Sequence, residues 1–245
     1  MLVKTGIGVS IHENTAKAAK HAVKMALEQN PDPDVTILFG SIWHDQAVLL
    51  AAVNRYVKGC PVFGCSSYVE FSSAGLSEKS VLVVTLSSAH IRFHRFTQEI
   101  DSNKSCESAR SLMQQVIDEG GGLLSGRSVG LFLPDVYGGD CVEYLNGIKD
   151  SIGNRLPLVG GGCSNQVFKD PRDPGYWKNY QYMDDRLLEN NFNLLVMEPL
   201  DDRITFSFAY DTVWSPVAPP VSCTRQSGDT LYEVDGVAVM EYYRR

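Results

Sequence analysis

The chain has 245 residues, of which 22 are Lys or Arg and 29 Asp or Glu, giving a formal net charge of -7. That length suits one large domain or two fused halves with a sizeable core. The acidic balance, without any long run of like charge, opposes attraction to phosphate and supplies no basic amphipathic helix, so nucleic acid and membrane surfaces are set aside as partners.

No apolar run is long enough for a transmembrane helix, and the N-terminal stretch lacks a secretory pattern. The six cysteines contain no C-x-x-C pair, so a reducing cytoplasm is the expected compartment. In chain order, a short strand ends at Ile11, and Ala18, Ala19, Ala22, Val23, Ala26 and Leu27 then recur at helical spacing, with Asn14 or Thr15 placed to cap and Pro31 beyond the end. Val35 to Phe39 reads as an apolar strand, Gln46 to Val57 as a second helix, and Pro61 to Phe63 as a buried strand. A Ser- and Gly-rich loop around Ser72 to Gly75 leads to two strands about a Ser87-Ser88 turn, expected to pair as a hairpin. The same order follows again: a helix from Lys104 to Ile117, strand 129–133, helix 139–152, strand 157–160, a long aromatic loop, and a strand pair at 192–198 and 202–209.

Residues 35–67 and 129–165 therefore read as an internal duplication. The expectation is an α/β fold of two β-α-β-α-β units, each closed by an antiparallel hairpin, with mixed sheets that are shared or packed face to face about a pseudo-twofold axis. The units are placed at 1–100 and 101–211, with a tail at 212–245. Each copy sets Gly, Cys and Ser after a buried strand (Gly64, Cys65, Ser66 and Gly162, Cys163, Ser164), marking two equivalent loops at strand C-termini, where open α/β sheets bind ligands.

The run from Gly161 and Gly162 through Cys163, Ser164 and Asn165 exposes backbone N–H groups suited to a carboxylate. Ser66, Ser164 and Asn165 add directional hydrogen bonds, and Ser41, Ser66 or Asp135 is placed to take an amino end. Neither G-x-G-x-x-G nor G-x-x-x-x-G-K-[ST] is present, so no nucleotide or other cofactor is implied. Tyr176, Trp177, Tyr180 and Tyr182 either cover a ligand from one side or pack their own loop, and Trp43 poses the same choice. An enzyme would use Cys65 as nucleophile with His44 as base, against the plainer reading of a small residue at a tight turn. His90 and His94 lie on one face of a strand, roughly 13 Å apart and too distant to share a metal ion. Asp140 reads as a helix cap before it reads as a cation ligand.

The strand ILFGS (37–41), the turn PVFGCSS (61–67), the strand VLVVTL (81–86), the turn PLVGGGCSN (157–165) and the tail CTRQSGDTLYEVDGVAVMEYYRR (223–245), in this order, resemble the FIST sensory domain. That family occurs in bacteria and archaea, alone or joined to signalling outputs, and in some eukaryotic F-box proteins. The resemblance implies a non-catalytic cytoplasmic sensor that binds a small polar ligand, an amino acid or small carboxylate, and passes its occupancy to a signalling protein or domain. It also implies a two-part layout in which a C-terminal FIST region follows, residues 237–243 resembling its opening helix, so that the chain stops where that part starts. Pro219-Pro220 departs from the family pattern, which has a glycine between Trp214 and Thr224. Two further readings stand beside the sensor: a small-molecule enzyme using Cys65, and an adaptor that binds protein alone.

Overall fold

The computed structural model describes residues 2–73, 75–163, 178–209, 215–228 and 230–244. They form two compact units, Met1–Phe206 and Ser207–Arg245.

The larger unit opens with β1 (Lys4–Ser10), α1 (Thr15–Gln29), β2 (Val35–Ser41), α2 (Gln46–Val57), β3 (Val62–Ser67), β4 (Val69–Ser72), β5 (Gly75–Glu78) and β6 (Val81–Ser87). Asn14 caps α1 by accepting from the Lys17 N–H, and Asp45 caps α2 by accepting from that of Val48, satisfying donors that a helix start leaves without partners. The alanine stripe of α1 is fully buried. Small residues on both sides let its backbone ride directly on β1: a Cβ at Gly6 would stand 2.0 Å from the Ala26 carbonyl oxygen, and one at Gly8 1.9 Å from that of Ala22.

The chain continues with β7 (Ile91–Glu99), α3 (Ser105–Glu119), β8 (Val129–Pro134), α4 (Cys141–Ile152), β9 (Leu158–Gly160), β10 (Gln181–Met183), β11 (Arg186–Leu188) and β12 (Asn191–Pro199). The first sheet runs β1-β6-β2-β3-β10-β11 and the second β7-β12-β8-β9. In both, the four shared positions have the same senses: the first strand pairs antiparallel with the last, the last antiparallel with the middle strand, and the middle strand parallel with its successor. The fold is α/β with mixed sheets, and the repeat seen in sequence reappears as strand order.

Each sheet carries its two helices on one face. Ala18 to Ala26, Leu49, Val53, Val81 and Val83 form one helix-side core, and Leu112, Met113, Val116, Ile148, Phe192 and Leu194 the other. The opposite faces meet each other: Val35, Ile37, Phe63 and Met183 of the first sheet pack with Leu133 and Leu195 of the second. Of the two arrangements expected, the sheets adopt the face-to-face one.

Three local expectations are corrected. The strands about Ser87-Ser88 both form but do not pair: β6 inserts between β1 and β2, and β7 becomes the edge of the second sheet. Composition explains the split, because the continuous apolar run of β6 suits a central strand with two buried faces, whereas the alternating β7 suits an edge. Residues 202–209 form no strand, since β12 already pairs with β7 on one side and β8 on the other. The end of the long aromatic loop is structured: β10 pairs with β3, so the second copy contributes two strands to the first copy's sheet.

The ladders also correct the alignment of the repeats. Leu38 pairs with Gly64 as Phe132 pairs with Gly160, which sets Gly160, not Gly162, opposite Gly64 in the repeat. The two Gly-Cys-Ser runs are thus offset by two residues. A two-residue offset preserves the face of a strand, so Cys65 and Cys163 both still point between the sheets.

The smaller unit holds β13 (Cys223–Ser227), β14 (Thr230–Val234), β15 (Val237–Ala238) and α5 (Val239–Tyr242). The stretch expected as an opening helix is a two-residue strand followed by a single turn. Among the described residues, no helix is long and apolar enough to cross a membrane.

Gly64 and Gly160 have φ of +152° and +141°, and a Cβ on either would lie 1.9 or 2.0 Å from the carbonyl oxygen of its register partner. Gly161 has open space at that position. In urea titrations, Gly64→Ala and Gly160→Ala are expected to lose roughly 3 kcal/mol each, and Gly161→Ala less than about 1 kcal/mol.

Candidate functional site

At the C-terminal ends of the parallel pairs β2/β3 and β8/β9, a cavity of about 390 Å³ opens between the sheets. Phe39, Leu131 and Leu133 form apolar walls, Cys65, Ser66, Ser67, Tyr68 and Val69 line the side of the first copy, and Gly160, Gly161 and Gly162 that of the second. Its origin is local. Where the first copy has Cys65, the repeat register places Gly161, which leaves open the space a side chain would fill.

Of the residues singled out in the sequence, Cys65, Ser66, Gly161 and Gly162 line this cavity. Ser66 is fully buried; its N–H donates to the Tyr180 carbonyl at 2.7 Å, and its Oγ accepts from the Tyr180 N–H at 3.0 Å. Cys163 sits behind the wall, 1 % exposed. Its N–H donates to the Pro134 carbonyl at 2.9 Å and is thereby taken up within the fold.

Ser41 and Asp135 are not brought to the cavity. Asp135 is 2 % exposed, and its carboxylate accepts from the N–H of Tyr137 at 2.9 Å, the Asn179 Nδ2 at 3.1 Å and the N–H of Asn190 at 3.2 Å. That carboxylate is turned inward to hold three loop segments together. Ser41 is fully buried on the neighbouring strand; its carbonyl accepts from Gln46, and its Oγ has no partner among the described residues. Ser164, Asn165, Tyr176 and Trp177 lie outside the described residues. Tyr182 is a core residue: fully buried among α1, α2 and β3, it donates its hydroxyl to Gln46. Tyr180 is packed against the same core. Trp43 stacks under the Lys79 ammonium at 4.3 Å and lines a separate cavity of about 650 Å³ with Ile11, His44 and Leu76.

The Cys65–His44 pair of the enzyme reading does not form. The His44 ring nitrogens meet Thr15 Oγ1 and the Lys79 carbonyl, both at 3.2 Å, and burial pulls its pKa down. The Cys65 thiol is pushed well up by the neighbouring Cys163 thiol, by burial and by the Asp135 charge. It is held neutral, the opposite of an activated nucleophile. Asp140 caps α4 through the N–H groups of Val142 and Glu143. His90 and His94 pair with Asp201 and with Glu198 and Glu119, respectively. Among the described residues, no group of three or more metal-binding side chains is assembled.

Sequence reading missed Glu70. Its carboxylate is 3 % exposed on β4 and accepts from the Ser67 and Ser80 hydroxyls. Burial raises its pKa, and the two serines partly offset that rise. The signal was the stretch YVEFS: a carboxylate inside a short strand, with a serine before it and another to follow. Ser67 thus spends its proton on Glu70 and presents its lone pairs to the cavity it lines.

The chain belongs to the FIST N domain family, which it matches over residues 34–237. This is a family of sensory and signalling domains. No curated protein matches the chain. Among solved structures, a cyanuric acid hydrolase from A. caulinodans aligns with a TM-score of 0.41 at 8% identity, over 80% of this chain and 71% of that one. A second cyanuric acid hydrolase structure aligns with a TM-score of 0.40 at 9% identity, over 80% and 69%. Likeness of this degree says nothing about what the present chain does.

Because the folded pKa of Glu70 lies above its unfolded value near 4.5, its contribution to stability is fully present below that value and is lost as pH rises through the folded pKa. Once ionised, the group is a buried charge whose partners among the described residues are the Ser67 and Ser80 hydroxyls. Glu70→Gln is therefore expected to melt higher than the parent at pH 7, with the gain vanishing as pH falls below about 4.5 in thermal melts across that range.

Proposed function

We propose that this FIST N domain is a sensor whose ligand is a small amino acid with an apolar side chain, held in the cavity between the two copies. The observation that carries the reading is the cavity itself: its volume lies within the range of small-molecule sites, and it combines apolar walls with few polar groups. The ligand's carboxylate lies on the N–H groups of Gly161 and Gly162, its body against Phe39, Leu131, Leu133 and Val69, and its ammonium at the Ser67 Oγ. Glu70 behind Ser67 favours a cation there, and among the described residues no Lys or Arg lines the cavity to favour a second anionic group. Ser164, Asn165 and Trp177 belong to the proposed site as the segment that follows Gly162.

Because both copies wall the cavity, occupancy biases how they pack, and a signalling protein or domain reads that bias. The compartment is proposed to be the cytoplasm. No catalytic step is needed.

The test is a thermal-shift screen against amino acids and small carboxylates. Ligand at about 100 times its Kd adds roughly 2.7 kcal/mol, equivalent to about 5–10 °C for a chain of this size. Gly161→Val fills the cavity without strain at its backbone and is expected to abolish the shift while the protein stays folded. Binding measured by calorimetry weakens as pH falls through the raised Glu70 pKa, because protonation removes the charge behind Ser67. If no compound produced a shift in folded protein, the sensor reading would give way to the adaptor.

A further inference from the structure

Cys65 and Cys163 lie in the same layer between the sheets, one on β3 of the first copy and one just past β9 of the second. Gln181 is the register partner of Cys65 across the β3/β10 ladder, and its Nε2 donates to the Cys163 sulfur at 3.2 Å. Gln181 thus bridges the two cysteines, which belong to one buried cluster between the sheets. Cys65 forms part of the cavity wall, so a small solute reaches it from the strand ends, with Cys163 behind it. We infer that Cys65 and Cys163 are oxidised by a small peroxide to a disulfide that ties the two copies together at the mouth of the cavity. This goes beyond ligand sensing and does not depend on what the cavity binds.

The chemistry balances with hydrogen peroxide as the oxidant. The Cys65 sulfur attacks one peroxide oxygen, the O–O bond breaks, and the thiol proton leaves with the other oxygen as water, giving a sulfenic acid. The Cys163 sulfur then attacks the Cys65 sulfur; the S–O bond breaks and its oxygen departs as a second water with the Cys163 proton. Two thiols and one peroxide become one disulfide and two waters. The product is uncharged, which suits an apolar layer in which a thiolate is disfavoured. The same disfavour makes the first step slow at neutral pH and faster as pH rises.

The experiment uses the Cys223→Ser chain, which removes an exposed thiol. The protein is treated with hydrogen peroxide at about pH 8.5, its remaining thiols are capped, and its peptides are mapped without reduction. The expected result is a Cys65-to-Cys163 cross-linked peptide and a melting temperature higher by roughly five degrees or more, reversed by dithiothreitol. Both signals are absent when either Cys65→Ser or Cys163→Ser is added. Sulfinic acid at Cys65 without a cross-link, or two free thiols after overnight exposure in protein still folded by circular dichroism, would overturn the inference. A cross-link without the rise in melting temperature would overturn the bracing of the copies.

Discussion

The larger unit depends on the apolar layer trapped between its two sheets. Each copy covers one face of its sheet with its own helices and has nothing of its own for the other face. Val35, Ile37, Phe63, Met183, Leu133 and Leu195 become buried only because the copies stack, each such side chain contributing about 1.5–3 kcal/mol relative to exposure. The duplication is thus a thermodynamic requirement of the fold, since a solitary copy would present an apolar sheet face to water.

That layer changes character along its length. Toward the C-termini of the parallel strands it turns polar, through Ser41, Cys65, Gln181, Asp135 and Asn193, most of them hydrogen-bonded across the layer. In a low-dielectric interior such bonds are stronger, and their loss costs more, than at a surface. Apolar packing therefore supplies adhesion, and the polar end specifies how the copies meet. The cavity lies at the transition between the two, where the glycine run interrupts the packing.

Secondary structure was largely legible because its signals are local. The second helix was placed at Gln46 to Val57, the span it occupies, and the caps at Asn14 and Asp140 follow from side chains adjacent to their targets. Failures came where distant residues decide. Nothing near Val81 announces that a strand will slide between β1 and β2, and nothing near Gln181 announces a partner in β3. The Gly-Cys-Ser match misled by being vivid: the structural equivalence runs through Pro61-Val62-Phe63-Gly64 and Pro157-Leu158-Val159-Gly160, two residues out of step with the cysteines. Around the cavity, the glycine run and Cys65 stand out in the sequence, whereas Glu70 and the apolar walls required the fold to show which faces converge. Asp135, a carboxylate at a strand end, looks available in the sequence until the segments that occupy its acceptors are in place.

The strand that the second copy lends to the first has a bearing on how the chain reaches its native state. With β10 and β11 in place, Tyr182 fills the core beneath α1 and α2, and Asn54 of α2 donates to the Asp184 carbonyl at 2.9 Å. On the ribosome, the first copy is therefore released well before the piece that completes it, and β3 waits with an open edge of the kind that invites pairing with foreign strands. Its closure joins residues far apart in sequence, a slow event for a nascent chain. The vulnerable interval in the life of this protein is its synthesis, between the emergence of Ser67 and that of Met183.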